Sequence, residues 1–128
     1  MIKAPTRTPM PNRFKGKVAL VTGGTNGIGY AIALELLREG GIVAVTGLPA
    51  DVDGGRAAFA ADGFSPLIFA GDMADEIFCR KLIEAVLKAH GRIDCLVNNA
   101  FSFIAKGLDA TREDFERSFN VGPFTFAL

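Results

Sequence analysis

The sequence predicts an α/β fold, a doubly wound parallel sheet, on three observations. Short apolar, β-branched runs alternate along the chain with segments of helical periodicity. The runs are apolar on both faces, as strands are when helices cover both sides of a parallel sheet. Glycine, acidic and amide residues recur where the runs end. Strands joined by helical crossovers take right-handed connections, and a ligand then lies beyond their carboxyl ends.

The chain is organised around its first strand and the turn that follows. Residues 18–22 read as a buried strand, and Ile28, Ala31, Ile32, Leu36 and Leu37 have the spacing of a helix over 27–39. Between them lie Gly23, Gly24, Gly27 and Gly29. A strand that ends in glycines and leads directly into a helix is an anion cradle. Free N–H groups point outward there, the helix dipole favours negative charge, and no Cβ separates the backbone from a pyrophosphate. On the glycines alone, a tight turn without a ligand is the competing reading. No Gly-Lys-Ser/Thr follows, so the loop is not that of a phosphate-loop NTPase.

The remaining elements follow in order. Gly40 and Gly41 end the first helix. Residues 42–46 form a second buried strand. Residues 51–62 form a weak helix, with Asp51 as a candidate N-cap and Gly54 and Gly55 inside it. Residues 66–70 are a third strand. Residues 75–90 are a strong helix, with Phe78, Leu82, Ala85, Val86 and Ala89 on one face and Gly91 beyond its end. Residues 93–97 are a fourth strand and 98–109 a loop. Thr111 with Asp114 three residues on opens a last helix, which Gly122 and Pro123 disturb. Residues 1–16, with three prolines, four basic residues and no acid, read as a flexible arm before a single domain over 17–128.

Composition narrows the function. With 14 basic and 14 acidic residues the net charge is zero, so neither a nucleic-acid surface nor a polybasic membrane anchor is expected. The apolar runs are too short to span a bilayer. Cys79 and Cys95 lie in apolar contexts without metal-ligand spacing, which favours reduced packing thiols in a cytoplasmic protein and no metal site. His90 ends a helix, where a cap suits it better than a catalytic role.

The four strand ends carry the residues of interest: 23–29, then Gly47 and Leu48, then Gly71, Asp72 and Met73, then Asn98, Asn99 and Ala100. In this order and spacing they resemble the short-chain dehydrogenases/reductases. Thr22, Gly23, Gly24, Thr25, Asn26, Gly27, Ile28 and Gly29 look like that family's glycine motif. Asp72 resembles the acid that holds the adenine ring. Asn98, Asn99 and Ala100 resemble its Asn-Asn-Ala-Gly motif, with Phe101 in place of the glycine. Asn120 is placed like its helix asparagine, which holds a water of the proton relay.

The resemblance covers about residues 14–128 and implies a Rossmann-like domain binding NAD or NADP. Backbone N–H groups from Asn26 through Ile28 to Gly29 would bind the pyrophosphate, with Thr22, Gly23 and Thr25 as further cofactor-binding residues of the same loop. Asp72 would accept from the adenine amino group, with Gly47, Leu48 and Met73 as further cofactor-binding residues, while Asn99 would help fix the fourth strand's end and Ala100 would lie near the nicotinamide-side ribose. An acid at the end of the second strand would bind a ribose 2′-OH, and an arginine a 2′-phosphate. Gly47 and Leu48 supply neither, which leans toward NADP(H) or toward low discrimination. Arg56 is a distant candidate for phosphate contact, less favoured than a surface helix arginine.

The resemblance also implies an absence. That family's serine and Tyr-x-x-x-Lys pair have no counterpart, because the single tyrosine, Tyr30, opens the first helix and Leu34 follows four residues later. The expectation is the cofactor-binding portion of an oxidoreductase moving a hydride to or from a carbonyl or alcohol substrate, truncated after the helix that follows the fourth strand. A non-catalytic NAD(P)-binding or interaction module is the alternative. A methyltransferase or NTPase domain is disfavoured. Phe101, Phe103, Phe115, Phe119, Phe124 and Phe126 crowd the last 28 residues, so exposed aromatics, association and a homo-oligomer are expected.

Overall fold

A computed structural model describes residues 8–127. Four parallel strands, β1 (Val18–Val21), β2 (Ile42–Gly47), β3 (Leu67–Ala70) and β4 (Cys95–Val97), stand in the order β3-β2-β1-β4. The register pairs Leu20 with both Ala44 and Leu96, and Val45 with Ile68. The chain builds outward from β1 through β2 to β3, then crosses back to lay β4 on the other side of β1. That reversal makes the gap between the carboxyl ends of β1 and β4 the switch point of the sheet.

The apolar run of β1 serves two cores, because successive strand side chains face opposite ways. Val18 and Leu20 pack with Ala44, Leu82, Val86 and Val121 beneath α3 (Glu76–His90) and the turn that follows α4 (Arg112–Phe119). Ala19 and Val21 pack with Ala33, Leu34, Val43, Val45 and Phe59 beneath α1 (Gly27–Arg38) and α2 (Val52–Ala61). β1 and the central residues of β2 are buried throughout. β3 and β4 flank them, and Leu67 and Leu96 are largely exposed.

Helix boundaries follow local chemistry. Gly40, at φ 87°, ends α1, with its N–H bonded to Leu37 O and that of Gly41 to Leu36 O. The Asp75 carboxylate caps α3 through the N–H groups of Ile77 and Phe78, and Gly91 closes it at φ 75°. Thr111 and Asp114 form a reciprocal capping box on α4.

The structure shifts several sequence expectations by a few residues. A 3₁₀ turn at Pro49–Asp51 precedes α2, and Asp51 makes no side-chain capping bond. β4 starts at Cys95 rather than 93, because the Asp94 carboxylate turns inward to accept from Val18 N at 2.8 Å. The last helix passes at Asn120–Phe124 into a π turn carrying Pro123, whose missing N–H cannot continue the ladder.

Of the expected arm, 1–7 lies outside the described residues. Residues 11–16 form turns held by Glu39, which is fully buried. Its carboxylate accepts from Met10 N at 3.1 Å and pairs with Arg13. Cys79 and Cys95 are free, half-buried thiols packed against opposite cores.

Candidate functional site

The site lies at the carboxyl rim of the sheet. After Val21 the chain turns through Gly23 at φ 63° and Gly27 at φ 55°, both in the left-handed region that favours glycine. Thr22 N–H bonds to Val97 O, Gly23 N–H to Thr46 Oγ1 and Gly24 N–H to Thr46 O. The start of the loop is thereby tied to both neighbouring strands. The N-cap of α1, Asn26, makes no side-chain capping bond, so the first N–H groups of that helix have no side-chain cap.

Close packing dictates four further glycines. A Cβ on Gly29 would stand 2.5 Å from Asn99 Nδ2, and one on Gly24 would stand 2.7 Å from Val45. Thr25 is buried. A Cβ on Gly47 would come within 2.9 Å of Thr25 Cβ, and one on Gly55 within 2.8 Å. Gly55 therefore weakens α2 as an isolated helix but lets it close onto the glycine loop.

The end of β4 completes the rim. Asn99 Nδ2 donates to Thr22 O at 3.0 Å and Gly23 O at 3.1 Å, while Thr22 Oγ1 accepts from the N–H groups of Asn99 and Ala100, each at 3.0 Å. The Asn-Asn-Ala segment thus fixes the loop from inside, and Ala100 backs Gly23, where an added Cβ would meet Ala100 Cα at 3.1 Å.

A groove of about 270 Å³ runs from Gly23 past Gly47 and Leu48 to Asp72 and Met73, with Phe101 and Phe103 on its opposite wall. These two rings stand edge to face, 6.4 Å apart and exposed. Asp72, half-buried, accepts from Ala74 N–H at 2.9 Å and from Arg117 Nη1 at 2.6 Å. Partial desolvation pushes its carboxyl up, but the Ala74 N–H and the Arg117 guanidinium together outweigh that and hold it below the usual carboxylate range. A second, more apolar cavity of about 380 Å³ lies between α3 and the outer side of β4, lined by Met73, Cys79, Ile83 and Leu96. Burial, then the nearby Asp75, pushes the Cys79 thiol up, so it stays protonated.

The structure brings Gly23, Gly47, Leu48, Asp72 and Met73 onto one groove. Asn26, Gly27 and Ile28 stand exposed at the mouth of α1, while Thr22, Thr25, Gly29, Asn99 and Ala100 shape the rim from within. Asn120 is exposed in the π turn and lies off the groove. Arg117 and Phe103 were not foreseen as part of this site. Arg117 lies one helical turn before the buried Val121, on the face of α4 that meets the groove, and that i, i+4 relation is the signal that points to it. Among the described residues no cluster of His, Cys, Asp and Glu suits a metal ion, and no helix is long and apolar enough to cross a membrane.

Comparison with known proteins agrees with this geometry. Residues 17–126 match the family described as short chain dehydrogenase. The chain is 41% identical over 114 residues to an NADP-dependent (R)-specific alcohol dehydrogenase of Lentilactobacillus kefiri, covering 88% of this chain and 45% of that protein. It is 34% identical over 125 residues to a glucose and ribitol dehydrogenase of Daucus carota, covering 90% and 43%. A short chain dehydrogenase from Burkholderia cenocepacia in complex with NADP superposes with a TM-score of 0.76 at 40% identity, over 86% of this chain and 46% of that one. One from Mycobacterium smegmatis gives 0.83 at 29% identity, over 98% and 54%. The chain spans about half the length of the relatives it matches. With its glycine loop, four-stranded parallel sheet and Asn-Asn-Ala rim, it belongs to the short chain dehydrogenase family.

Proposed function

We propose that this chain is the dinucleotide-binding portion of an NAD(P)-dependent oxidoreductase acting on a carbonyl or alcohol substrate. The observation that carries the reading is one continuous groove. It is bordered by Gly23, where the glycine loop leaves β1 for the uncapped N-terminus of α1, and by an ionised carboxylate, Asp72. Gly27, at φ 55° with open space at its Cβ position, leaves the exposed backbone clear for the approach of a pyrophosphate. Asn26, Gly27, Ile28 and Gly29 would offer N–H groups to that pyrophosphate. Asp72 would accept from the adenine amino group, and Met73 would line the adenine pocket. Gly47 and Leu48 would border the adenosine ribose, and Ala100 the second ribose, while Asn99, Thr22 and Thr25 hold the loop in shape.

When bound, the nicotinamide supplies the hydride chemistry. The chain's own residues bind and orient it. Tyr30, the single tyrosine, lies on α1 with its hydroxyl bonded to Asp62, so it is no proton donor to this groove. Asn120 would hold a relay water only if its side chain turned inward from its exposed place.

NADP(H) is the favoured cofactor. No acid stands at Gly47 or Leu48, and solved relatives at 40% and 34% identity are complexes with NADP and NADPH. Exposed Phe101, Phe103, Phe115, Phe119, Phe124 and Phe126 support self-association into a homo-oligomer. The two free thiols suit a cytoplasmic setting.

Titration of the chain with NADPH and NADH, followed by reduced-nicotinamide fluorescence and thermal shift, tests the reading. Saturable binding, tighter for NADPH, is expected. Failure of both to bind at millimolar concentration would sink it. The second reading is a non-catalytic dinucleotide-binding or interaction module. Turnover of an added alcohol with NADP⁺ by this chain alone would exclude that reading.

A further inference from the structure

Arg117 and Asp72 face each other across the groove, 45 residues apart in sequence, joined at 2.6 Å. Both side chains are more than one-third exposed, so the pair adds little to stability. Its geometry is nonetheless well supported. Upstream, the capping box fixes the start of α4, and Lys106 Nζ holds both oxygens of Asp114 at 2.9 and 2.8 Å. Downstream, buried Val121 anchors the same helical face in the core. Arg117 projects from between two fixed points, so its guanidinium meets Asp72 from a set direction.

The carboxylate is consequently held on both oxygens: Oδ1 accepts from Ala74 N–H and Oδ2 from Arg117. A carboxylate offers about four lone-pair positions, so about two stay open after these bonds. With one bond on each oxygen the carboxylate's rotation is restrained, so the open positions of a residue that lines the groove keep a set direction. A bond to Ala74 alone, two residues on in the same turn, would leave Oδ2 free to hydrate.

We propose that Arg117 is a positioning residue that aims Asp72 at the exocyclic amino group of adenine, so that the pair distinguishes adenine from 6-oxopurines. The proposal rests on the dinucleotide-binding reading above and adds a base specificity to it. Adenine presents an N–H donor to the aimed carboxylate. Hypoxanthine presents a carbonyl oxygen in its place, and two acceptors then face each other.

The test is calorimetric titration of the wild-type chain and of R117M, R117K and D72N with NADPH and with its hypoxanthine counterpart, alongside thermal melts. The wild type should prefer the adenine form by about tenfold or more, the scale of one charge-assisted hydrogen bond. R117M should bring that ratio to about twofold or less, R117K should restore part of it, and D72N should abolish it. A double R117M/D72N variant should lose no more than D72N alone. If R117M fails to melt cooperatively, the R117K ratio decides, and a wild-type ratio there overturns the proposal. A wild-type ratio in R117M, or no base preference in the wild type, also overturns it while dinucleotide binding stands. Failure of the wild type to bind either form removes both readings together.

Discussion

Thr22 and Asn99 hold each other across the switch point of the sheet. The Asn99 amide donates to the carbonyls of Thr22 and Gly23, and the Thr22 hydroxyl oxygen accepts from the backbone N–H groups of Asn99 and Ala100. Each side chain satisfies backbone groups that the strand ends leave unpaired, so neither can be removed without orphaning buried polar atoms. Asn99→Ala should cost about 1–3 kcal/mol in urea unfolding. Asn99→Asp should cost more, because a second acceptor would face two carbonyls. Thr22→Ser should be milder than Thr22→Val. Equal stability of Asn99→Ala and the wild type would show that the knot contributes nothing.

The loop glycines should separate into two classes. Gly29→Ala and Gly24→Ala place a methyl against Asn99 and Val45 with no room to give, so both should unfold the loop and abolish dinucleotide binding. Gly27 has φ 55° and open space around its Cβ position. Gly27→Ala should therefore cost only the strain of a left-handed alanine, about 1 kcal/mol, and Gly27→Asn less. Thermal melts of the four variants read out this ranking.

Cofactor choice should turn on Leu48. Gly47 ends β2 but lies against Thr25, so a side chain there has no space. Leu48 is exposed on the groove. Leu48→Asp should present a carboxylate to the adenosine ribose, accepting from a 2′-OH and repelling a 2′-phosphate. The NADPH-to-NADH affinity ratio should fall by about tenfold or more, equivalent to about 1.4 kcal/mol. Paired titrations check this, and an unchanged ratio would place the ribose elsewhere.

Acid should weaken the fold through three named carboxyls, each held below its ordinary value of 3.8. For Asp94 the causes are the Val18 N–H and then Arg92. For Asp114 they are Lys106 and then the Thr111 N–H. For Asp72, desolvation opposes the shift and the Ala74 N–H and Arg117 outweigh it. A depressed folded-state pKa means that the unfolded chain takes up protons first. The stabilisation is therefore complete at neutral pH, declines as pH falls below 3.8 and is gone below the folded-state values. Melting temperature should be flat near neutrality and drop on entering that window. Asp94→Asn should shrink the drop.

Much of the architecture was legible because its causes are local. The β1 run was apolar on both faces because it serves two cores, and the caps at Gly91 and Thr111 are written in single residues. What escaped the sequence depended on distant partners. Gly55 looks like a helix fault until Thr25 is seen pressed against it. Asp94 reads as part of a strand until its carboxylate is found on Val18, 76 residues away. The same distance effect hid Arg117, which looks like one more charge on a polar helix. Asn120 stands exposed in a π turn that spacing alone does not foretell.

Tyr30 packs on Phe59 with ring centroids 4.6 Å apart, and its hydroxyl donates to Asp62, where that hydrogen bond raises its pKa before burial adds to the effect. The chain has no tryptophan. Its intrinsic fluorescence under tyrosine excitation therefore comes from one ring at one location, the seam between α1 and α2. A carboxylate acceptor on the phenol quenches that emission, so loss of the seam should brighten it. The far side of the sheet, with α3 and α4, is optically silent. Reduced nicotinamide absorbs and emits at longer wavelengths, so it would light that silent half independently. One cuvette could then follow the two faces of β1 as separate signals, and a lag between them during unfolding would show that the two cores do not melt as one.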